Sequence, residues 1–337
     1  REPFLGDPRA CLLRQFREAD KAGYVMNVSP EIQFFYFKED TTVSNGSAVP
    51  APLDNAGYFD LTPEDSARDL RRDLTLALEQ MSVPVEYSYH ALAPSQNGVS
   101  LRYSEAITCA DNIMTARLVI KQTAFSHGLF ASFMPKPLSG IPGSAMFLYQ
   151  SLFDHDGNNL FWARGEGSIH HLSKTAQHYV AGILKYAPEF ALITNPTVNS
   201  YKRLVPSGEV PCYATWGSRN RSAFVRVPTY KPGKELSRRI ELRGPDPTCN
   251  PYLIMAVTLA AGRRGIADEL PLPPESTVPF DQLAESGAAR LPRDLGEAIR
   301  EFENSEFVHE TLGDHIFNYC LEEKRREWAE YSQTVTD

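Results

Sequence analysis

Residues 239–243 restrict the possible fold more than any other segment, because they read Arg-Ile-Glu-Leu-Arg. Strict alternation of charged and apolar residues is typical of a β-strand with one buried face. On such a strand Arg239, Glu241 and Arg243 share one face, while the two apolar residues face a core. The sequence therefore predicts a sheet that presents two guanidinium groups around one carboxylate.

More arginines precede this strand, on segments that read as loops and short strands: Arg203, Arg219, Arg221 and Arg226. Arginine bonds two oxygens of a phosphate or carboxylate at once through its planar fork, so the cluster suits an anionic ligand. A structural cluster of salt bridges is the alternative interpretation. The spacing of the residues does not decide between the two.

The rest of the chain mixes β-rich runs with separate helical segments. The runs at 24–28 and 31–37 are predicted to be two strands broken by Ser29 and Pro30, and 108–127 to be a long buried helix. Further helices are predicted at 9–23, 62–81, 174–186, 249–262, 295–302 and 309–331, and further strands at 83–90, 146–152 and 222–228. Paired strands with separated helices, and no linker that forces a domain boundary, predict an α+β fold.

Composition excludes several classes of protein. The chain has 34 basic and 42 acidic residues, a formal charge of -8, which argues against a nucleic-acid-binding protein. It contains no apolar run of the roughly 18 to 20 residues that a membrane helix needs, and its start has no signal-peptide pattern. Its five cysteines form no CxxC pair, so neither a disulfide framework nor a thiolate zinc site is indicated. We expect a cytoplasmic protein that binds neither nucleic acid nor membrane.

Several longer motifs resemble the catalytic domain of glutamine synthetase. The run NPTVNSYKRLVP at 195–206 resembles the signature of that family, as do FMPKP at 133–137 and the arginine strand at 239–243. Segments at 108–115, 218–222 and 250–253 also match, in order. The resemblance implies the family's α+β catalytic-domain fold over residues 1–337, an antiparallel curved sheet flanked by helices. The family's small N-terminal β-grasp domain is expected to be absent from this chain.

The resemblance also implies a chemistry. In that family ATP phosphorylates the γ-carboxylate of glutamate, ammonia attacks the acyl phosphate, and two magnesium or manganese ions stabilise the transferring charge. Five glutamates and one histidine hold the metals. Glu31 and Glu241 stand at two of these positions, and the other four are replaced, by Gln33, Ala91, Gly98 and Phe147. We therefore expect metal binding to be weak or absent, unless Gln33 or the neighbouring His90 substitutes; His90 is more simply a hydrogen-bonded strand histidine.

The other half of the family's site is retained, by the same resemblance. It assigns the substrate α-carboxylate to Arg203, the reacting carboxylate to Arg243, the glutamate-binding loop to Gly143, the flap carboxylate to Glu209, the transferring phosphate to Arg221 and Arg226, and nucleotide contacts to Arg239 and Ser151. Glu209 and Arg221 would be the catalytic residues. Glutamate and ATP-like molecules are the expected ligands, and a homo-oligomeric ring is the expected assembly.

Three functions are compatible with this pattern. The first is a pseudoenzyme or a strongly impaired enzyme of nitrogen metabolism that retains its anion-binding arginines. The second is an ATP-dependent carboxylate–amine ligase of the γ-glutamyl-amide type, with an altered substrate or with one metal on Glu31 and Glu241. The third is an ordinary glutamine synthetase. The third is disfavoured because the motifs that flank each replaced ligand align without gaps.

Overall fold

A computed structural model describes residues 3–38, 50–60, 65–206, 209–277, 282–283 and 287–335. Its strands are β1 (Val25–Phe37), β2 (Val85–His90), β3 (Gln96–Leu101), β4 (Ser104–Glu105), β5 (Phe130–Ser132), β6 (Met146–Phe153), β7 (Trp216–Gly217), β8 (Val225–Arg226) and β9 (Ile240–Leu242). Within the described residues they form one sheet in the order β2-β3-β1-β6-β9-β8-β7, and β4 and β5 also pair with β1.

The helices surround this sheet. They are α1 (Pro8–Lys21), α2 (Arg68–Gln80), α3 (Ala106–Ser126), α4 (Lys174–Tyr186), α5 (Ala191–Thr194), α6 (Val198–Arg203), α7 (Pro251–Ala267), α8 (Leu295–Glu303), α9 (Glu306–Leu312) and α10 (Asp314–Gln333). The predicted α+β class is confirmed. The sheet is antiparallel, as predicted, except that β7 and β8 pair in parallel.

The predicted break at Ser29 and Pro30 is wrong, because β1 runs through both residues without interruption. Pro30 pairs with Leu148 of β6 on one side. On its other side β1 changes partner at this point, from β4 at residues 27–28 to β3 at residues 31–35. Pro30 therefore lies in the gap between two ladders, where its missing N–H costs no pairing.

Two helical predictions need correction. The helix predicted over 309–331 is two helices, α9 and α10, divided at Gly313, whose positive φ of 80° suits glycine. The helix predicted from residue 62 begins at Arg68, and the proposed start at Thr62 and Pro63 lies outside the described residues. Helix α6 has no counterpart among the predicted helices, and it begins with a capping box between Thr197 and Ser200.

Helices α4 and α7 cover one face of the sheet and fix strand β6. A Cβ atom at Gly182 would lie 2.1 Å from the carbonyl oxygen of Ala261, so only glycine permits this close approach of the two helices. Gln150 of β6 receives a hydrogen bond from Tyr179 of α4 at 3.0 Å and donates one to Thr258 of α7 at 3.2 Å. The alternate residues of β6 therefore point away from these helices. No helix within the described ranges combines the length and apolar character needed to cross a membrane.

Candidate active site

Three neighbouring strands supply the floor of a cavity of about 240 Å³ on the open face of the sheet. Glu31 and Gln33 come from β1, Phe147 and Tyr149 from β6, and Glu241 from β9. β6 alternates between buried and half-buried residues, which is the pattern of a strand with one face on the core and one on the cavity. The walls are aromatic on one side (Tyr58, Phe59, Tyr87 and Tyr89) and basic on the other (Arg221, Arg226 and Arg243).

Glu31 is buried, and its carboxylate accepts hydrogen bonds from three tyrosine hydroxyls. Tyr87 and Tyr149 each donate to Oε2 at 3.1 Å, and Tyr89 donates to Oε1. Burial raises the pKa of all three hydroxyls, and the negative charge of Glu31 raises the pKa further. The tyrosines therefore keep their protons and act as donors, as an acceptor-only carboxylate requires.

Glu241 lies between two guanidinium groups. Arg243 donates to Oε1 at 2.5 Å, and Arg226 donates to Oε2. The guanidinium carbon of Arg243 also lies 4.6 Å from the centre of the Phe147 ring, and that of Arg239 lies 4.6 Å from the Tyr149 ring. Both oxygens of Glu241 are thus paired with cations, and the two rings of β6 carry cations on their faces.

Gln33 and Gly98, two of the replaced positions, already make close contacts within the protein. The Gln33 amide accepts a hydrogen bond from the Ala145 backbone at 2.9 Å and donates one to the Tyr89 hydroxyl at 3.2 Å. Gly98 of β3 pairs with Gln33 on one side and with Tyr89 on the other. A Cβ at Gly98 would lie 2.4 Å from the Tyr89 ring, so this ring crosses β3 through the space that a side chain would fill.

The other predicted site residues differ in exposure. Glu209 and Arg221 line the cavity and pair with each other at 3.2 Å, while both remain largely exposed. Arg203 is buried, and its guanidinium donates to the carbonyl oxygens of Gly244 and Arg243 at 2.9 and 3.2 Å. Burial lowers the pKa of Arg203 to about 10.

Arg203, Arg239, Gly143 and Ser151 are not among the residues that line the cavity. Gly143 packs tightly behind it, since a Cβ there would lie 2.2 Å from the carbonyl oxygen of Pro135 and 3.3 Å from the Arg203 side chain. Arg203 and Gly143 are thus neighbours, as the resemblance implies. The structure brings Arg221, Arg226, Arg243 and Glu209 together around the cavity, and the other four residues lie outside its lining.

Comparison with known proteins identifies the family of this chain. The family described as "Glutamine synthetase, catalytic domain" matches residues 5–337. The chain belongs to this family. It is 45% identical over 338 residues to glutamine synthetase of Methanosarcina mazei, covering 99% of this chain and 74% of that protein. It is 47% identical over 340 residues to the enzyme of Mycobacterium tuberculosis strain H37Rv, covering 99% of this chain and 75% of that protein.

Solved structures show the same likeness. A structure described as apo GmaS without ligand superposes with a TM-score of 0.87 at 30% identity, covering 100% of this chain and 76% of that one. A GmaS/ADP complex superposes with a TM-score of 0.88 at 29% identity, with the same coverage. The family and the catalytic-domain fold implied by the sequence are therefore confirmed.

The family uses ATP with divalent metals, and the residues present here do not fit a pair of such ions. Magnesium and manganese require several oxygen ligands with available lone pairs. Glu31 already accepts three hydroxyl donors, Glu241 is enclosed by two cations, and Ala91, Gly98 and Phe147 offer no oxygen or nitrogen donor from a side chain. A metal ion would have to displace these partners from both carboxylates.

His90 is not among the residues that line the cavity. It is buried on the opposite face of β2 from Tyr87 and Tyr89, as strand alternation requires. Its Nδ1 lies 2.9 Å from the carbonyl oxygen of Ala91 and its Nε2 lies 3.0 Å from Asp54 Oδ1. Asp54, Asp65 and His90 could together hold a cation, but Asp65 is paired with Arg71. The prediction of a hydrogen-bonded strand histidine is confirmed.

Sequence reasoning missed Tyr58, Phe59, Tyr87 and Tyr89. The signal that could have found the last two is cross-strand: two tyrosines alternate on β2 opposite a glycine, an arrangement in which an aromatic ring covers the gap that glycine leaves. Tyr149 also lines the cavity, and its bond to Glu31 depends on a partner 118 residues away.

Proposed function

We propose that this chain is a glutamine synthetase-family pseudoenzyme, unable to carry out metal-dependent ligation of ammonia to glutamate at a useful rate. The observation that supports this most directly is the Glu31 carboxylate, which holds three tyrosine hydroxyls where a metal ligand is expected. Phosphoryl transfer depends on metal ions that neutralise the charge developing on the phosphate. Without them, the remaining arginines can bind an anion but cannot support the reaction.

The charges in the cavity support the same proposal. Its lining contains three carboxylates (Glu31, Glu209 and Glu241) and three guanidinium groups (Arg221, Arg226 and Arg243), so it is neutral without any added ion. A site that binds two divalent cations normally carries an excess of carboxylates. We further propose that the protein is cytoplasmic. We also propose that it assembles as a homo-oligomer, and sedimentation velocity would measure its oligomeric state.

Calorimetry tests the proposal. ATP and ADP are titrated into the purified protein with and without magnesium or manganese, and phosphate release is followed with glutamate and ammonium present. We expect nucleotide or glutamate binding, if observed, to be independent of metal, with no phosphate release above background. Metal-dependent nucleotide binding together with phosphate release would contradict the proposal.

A second candidate is an ATP-dependent ligase that joins an amine to a carboxylate, of the γ-glutamyl-amide type. It is favoured by the likeness to the GmaS/ADP complex and by Arg239 and Ser151, which the family resemblance assigns to the nucleotide. This function predicts phosphate release that requires an organic amine and a divalent metal. The same assay, repeated with a panel of primary amines in place of ammonium, separates the two functions.

A further inference from the structure

The charge of the cavity is neutral in total but is unevenly distributed. Glu241 has two guanidinium partners, and Glu209 has one in Arg221. Glu31 has hydrogen bonds only from neutral hydroxyl groups. Two of these donors share Oε2 and one uses Oε1. A quaternary ammonium ion has no N–H and interacts with a carboxylate by charge, so it does not have to displace these hydroxyls as a coordinating metal would. The Glu31 side of the cavity is therefore a buried negative pole without a cation of its own.

Aromatic rings surround this negative pole. Phe59 stacks on Tyr89 with ring centres 5.6 Å apart, Tyr58 meets Phe59 edge-on at 4.5 Å, and Tyr87 lies 5.8 Å from Tyr89. We call these four residues the aromatic cluster. Tyr58, Phe59 and Tyr87 are 53%, 56% and 41% exposed, so the cluster opens to solvent although it is apolar. An open apolar surface beside a cavity is typical of a ligand site.

The backbone at Phe59 is strained, and it helps to hold the aromatic cluster in place. Phe59 has a φ of 58°, a left-handed conformation that is rare for an aromatic residue. Its amide donates to the carbonyl oxygen of His90 at 3.2 Å, which fixes the segment against the end of β2. Among the cation–π contacts of the described residues, the two at the cavity involve Phe147 and Tyr149, and none involves the four rings of the cluster. These rings are thus available to a cation from outside.

We propose that the cavity binds an organic ammonium ion, a cation whose nitrogen carries alkyl groups, against Glu31 and the aromatic cluster. A weakly hydrated cation gains from several aromatic faces and needs only one carboxylate, whereas a divalent metal needs many oxygen ligands and gains little from rings. One carboxylate among several aromatic rings therefore suits an organic cation better than a metal ion. The inference rests on the proposed function, because it requires that no metal ion neutralises Glu31.

The ligand is either a simple ammonium ion or a zwitterion. Arg221 lies on the rim, and its pair with Glu209 is exposed, so a carboxylate on the ligand can replace Glu209 as its partner at small cost. A betaine would then place its cation at Glu31 and its acid at Arg221. Choline has the same cationic group without the acid, and the two compounds distinguish these cases.

Calorimetry in metal-free buffer at constant ionic strength tests the inference, with tetramethylammonium, choline and glycine betaine as probes and sodium as the control ion. We expect the organic cations to bind and sodium not to. Glu31→Gln should weaken binding at least tenfold, by the loss of a desolvated charge pair. If betaine binds with higher affinity than choline, and Arg221→Gln removes the difference, the ligand is a zwitterion. If the two affinities are equal, the ligand is a simple ammonium ion.

A second variant keeps the test independent of folding. Tyr58 is half-exposed, so Tyr58→Leu leaves the buried network intact and should weaken binding about two- to fivefold. Tyr103→Leu, at a 72% exposed tyrosine outside the cavity lining, is the matched control and should have no effect. No binding of any organic cation, or undiminished binding in both Glu31→Gln and Tyr58→Leu, would overturn the inference while leaving the proposed function untouched. Metal-dependent phosphate release would overturn the proposed function instead.

Discussion

Tyr89 shows how a single residue satisfies a buried carboxylate at this site. Its hydroxyl donates to Glu31 and accepts from the Gln33 amide, so it joins two of the positions where the family places metal ligands. A buried carboxylate without donors would be costly, and the hydroxyl satisfies it. The tyrosine thus stabilises a carboxylate that would otherwise need a cation.

Tyr89→Phe should therefore destabilise the protein. The ring is retained and the hydroxyl is lost, which leaves Glu31 and Gln33 each without one buried partner. We expect the free energy of unfolding to fall by about 1–3 kcal/mol, measured by urea denaturation. Tyr87→Phe, at a more exposed tyrosine that also donates to Glu31, should have a smaller effect. Equal stability of Tyr89→Phe and the wild type would show that the hydroxyl is not needed.

His90 makes stability depend on pH. Burial lowers the pKa of His90, but the hydrogen bonds to Asp54 and to the Ala91 carbonyl, with the charges of Asp54 and Asp65, raise it more, to a net value above the usual 6.5. Burial raises the pKa of Asp54, and its bonds to His90 and Ser95 lower it more, to a net value below 3.8. The neighbouring Asp65 is paired with Arg71, so that pair adds no net charge.

The expected pH profile follows from these directions. The contribution of His90 is complete below about pH 6.5 and is lost as the pH rises through its raised folded-state pKa. The contribution of Asp54 is present above about pH 4 and is lost as the pH falls through its lowered pKa. Urea unfolding at a series of pH values should show His90→Gln with a flatter alkaline decline than wild type. His155→Gln, at an exposed histidine, should leave the profile unchanged.

At the scale of secondary structure, β2 and β3 are matched to each other. The Tyr89 side chain reaches Glu31 only because Gly98, its neighbour on the intervening strand β3, has no side chain. The missing side chain at residue 98 and the ring at residue 89 therefore depend on each other. Restoring the ligand alone would create a clash.

Restoration of the family's ligands tests this pairing. We expect the quadruple variant Gln33→Glu, Ala91→Glu, Gly98→Glu and Phe147→His to bind no manganese, because Tyr89 occupies the space of the new side chain at residue 98. Adding Tyr89→Ala removes the ring and should restore binding, measured by calorimetry with Mn²⁺. Metal binding by the quadruple variant without Tyr89→Ala would contradict this account of the two strands.

At the scale of the whole molecule, stability should not depend on divalent metals. A ligand that binds only the folded state stabilises it by about 2.7 kcal/mol at a hundred times its dissociation constant. Since both retained carboxylates are already paired, we expect equal free energies of unfolding in EDTA, in magnesium and in manganese. A rise in the urea midpoint with either metal would reveal a metal site that the geometry does not provide.

Much of this protein follows from the sequence alone. The α+β class, the shared face of residues 239–243 and the positions of Glu31, Gln33, Gly98 and Phe147 all follow from local alternation and from motif resemblance. These features depend on neighbours in the chain, which a sequence displays directly. The helix and strand bounds were predicted well wherever local signals were strong and were wrong where tertiary pairing overrode a local signal, as at Pro30.

The tertiary structure alone decided what the retained carboxylates bind. Tyr89 and Tyr149 reach Glu31 from positions 58 and 118 residues further along the chain, and Arg226 reaches Glu241 only because β8 pairs with β9. The order of strands in the sheet brings these groups together, and no local pattern encodes that order. The missing ligands therefore predict a damaged metal site, whereas the fold shows which hydroxyls and guanidinium groups bind the two carboxylates that remain.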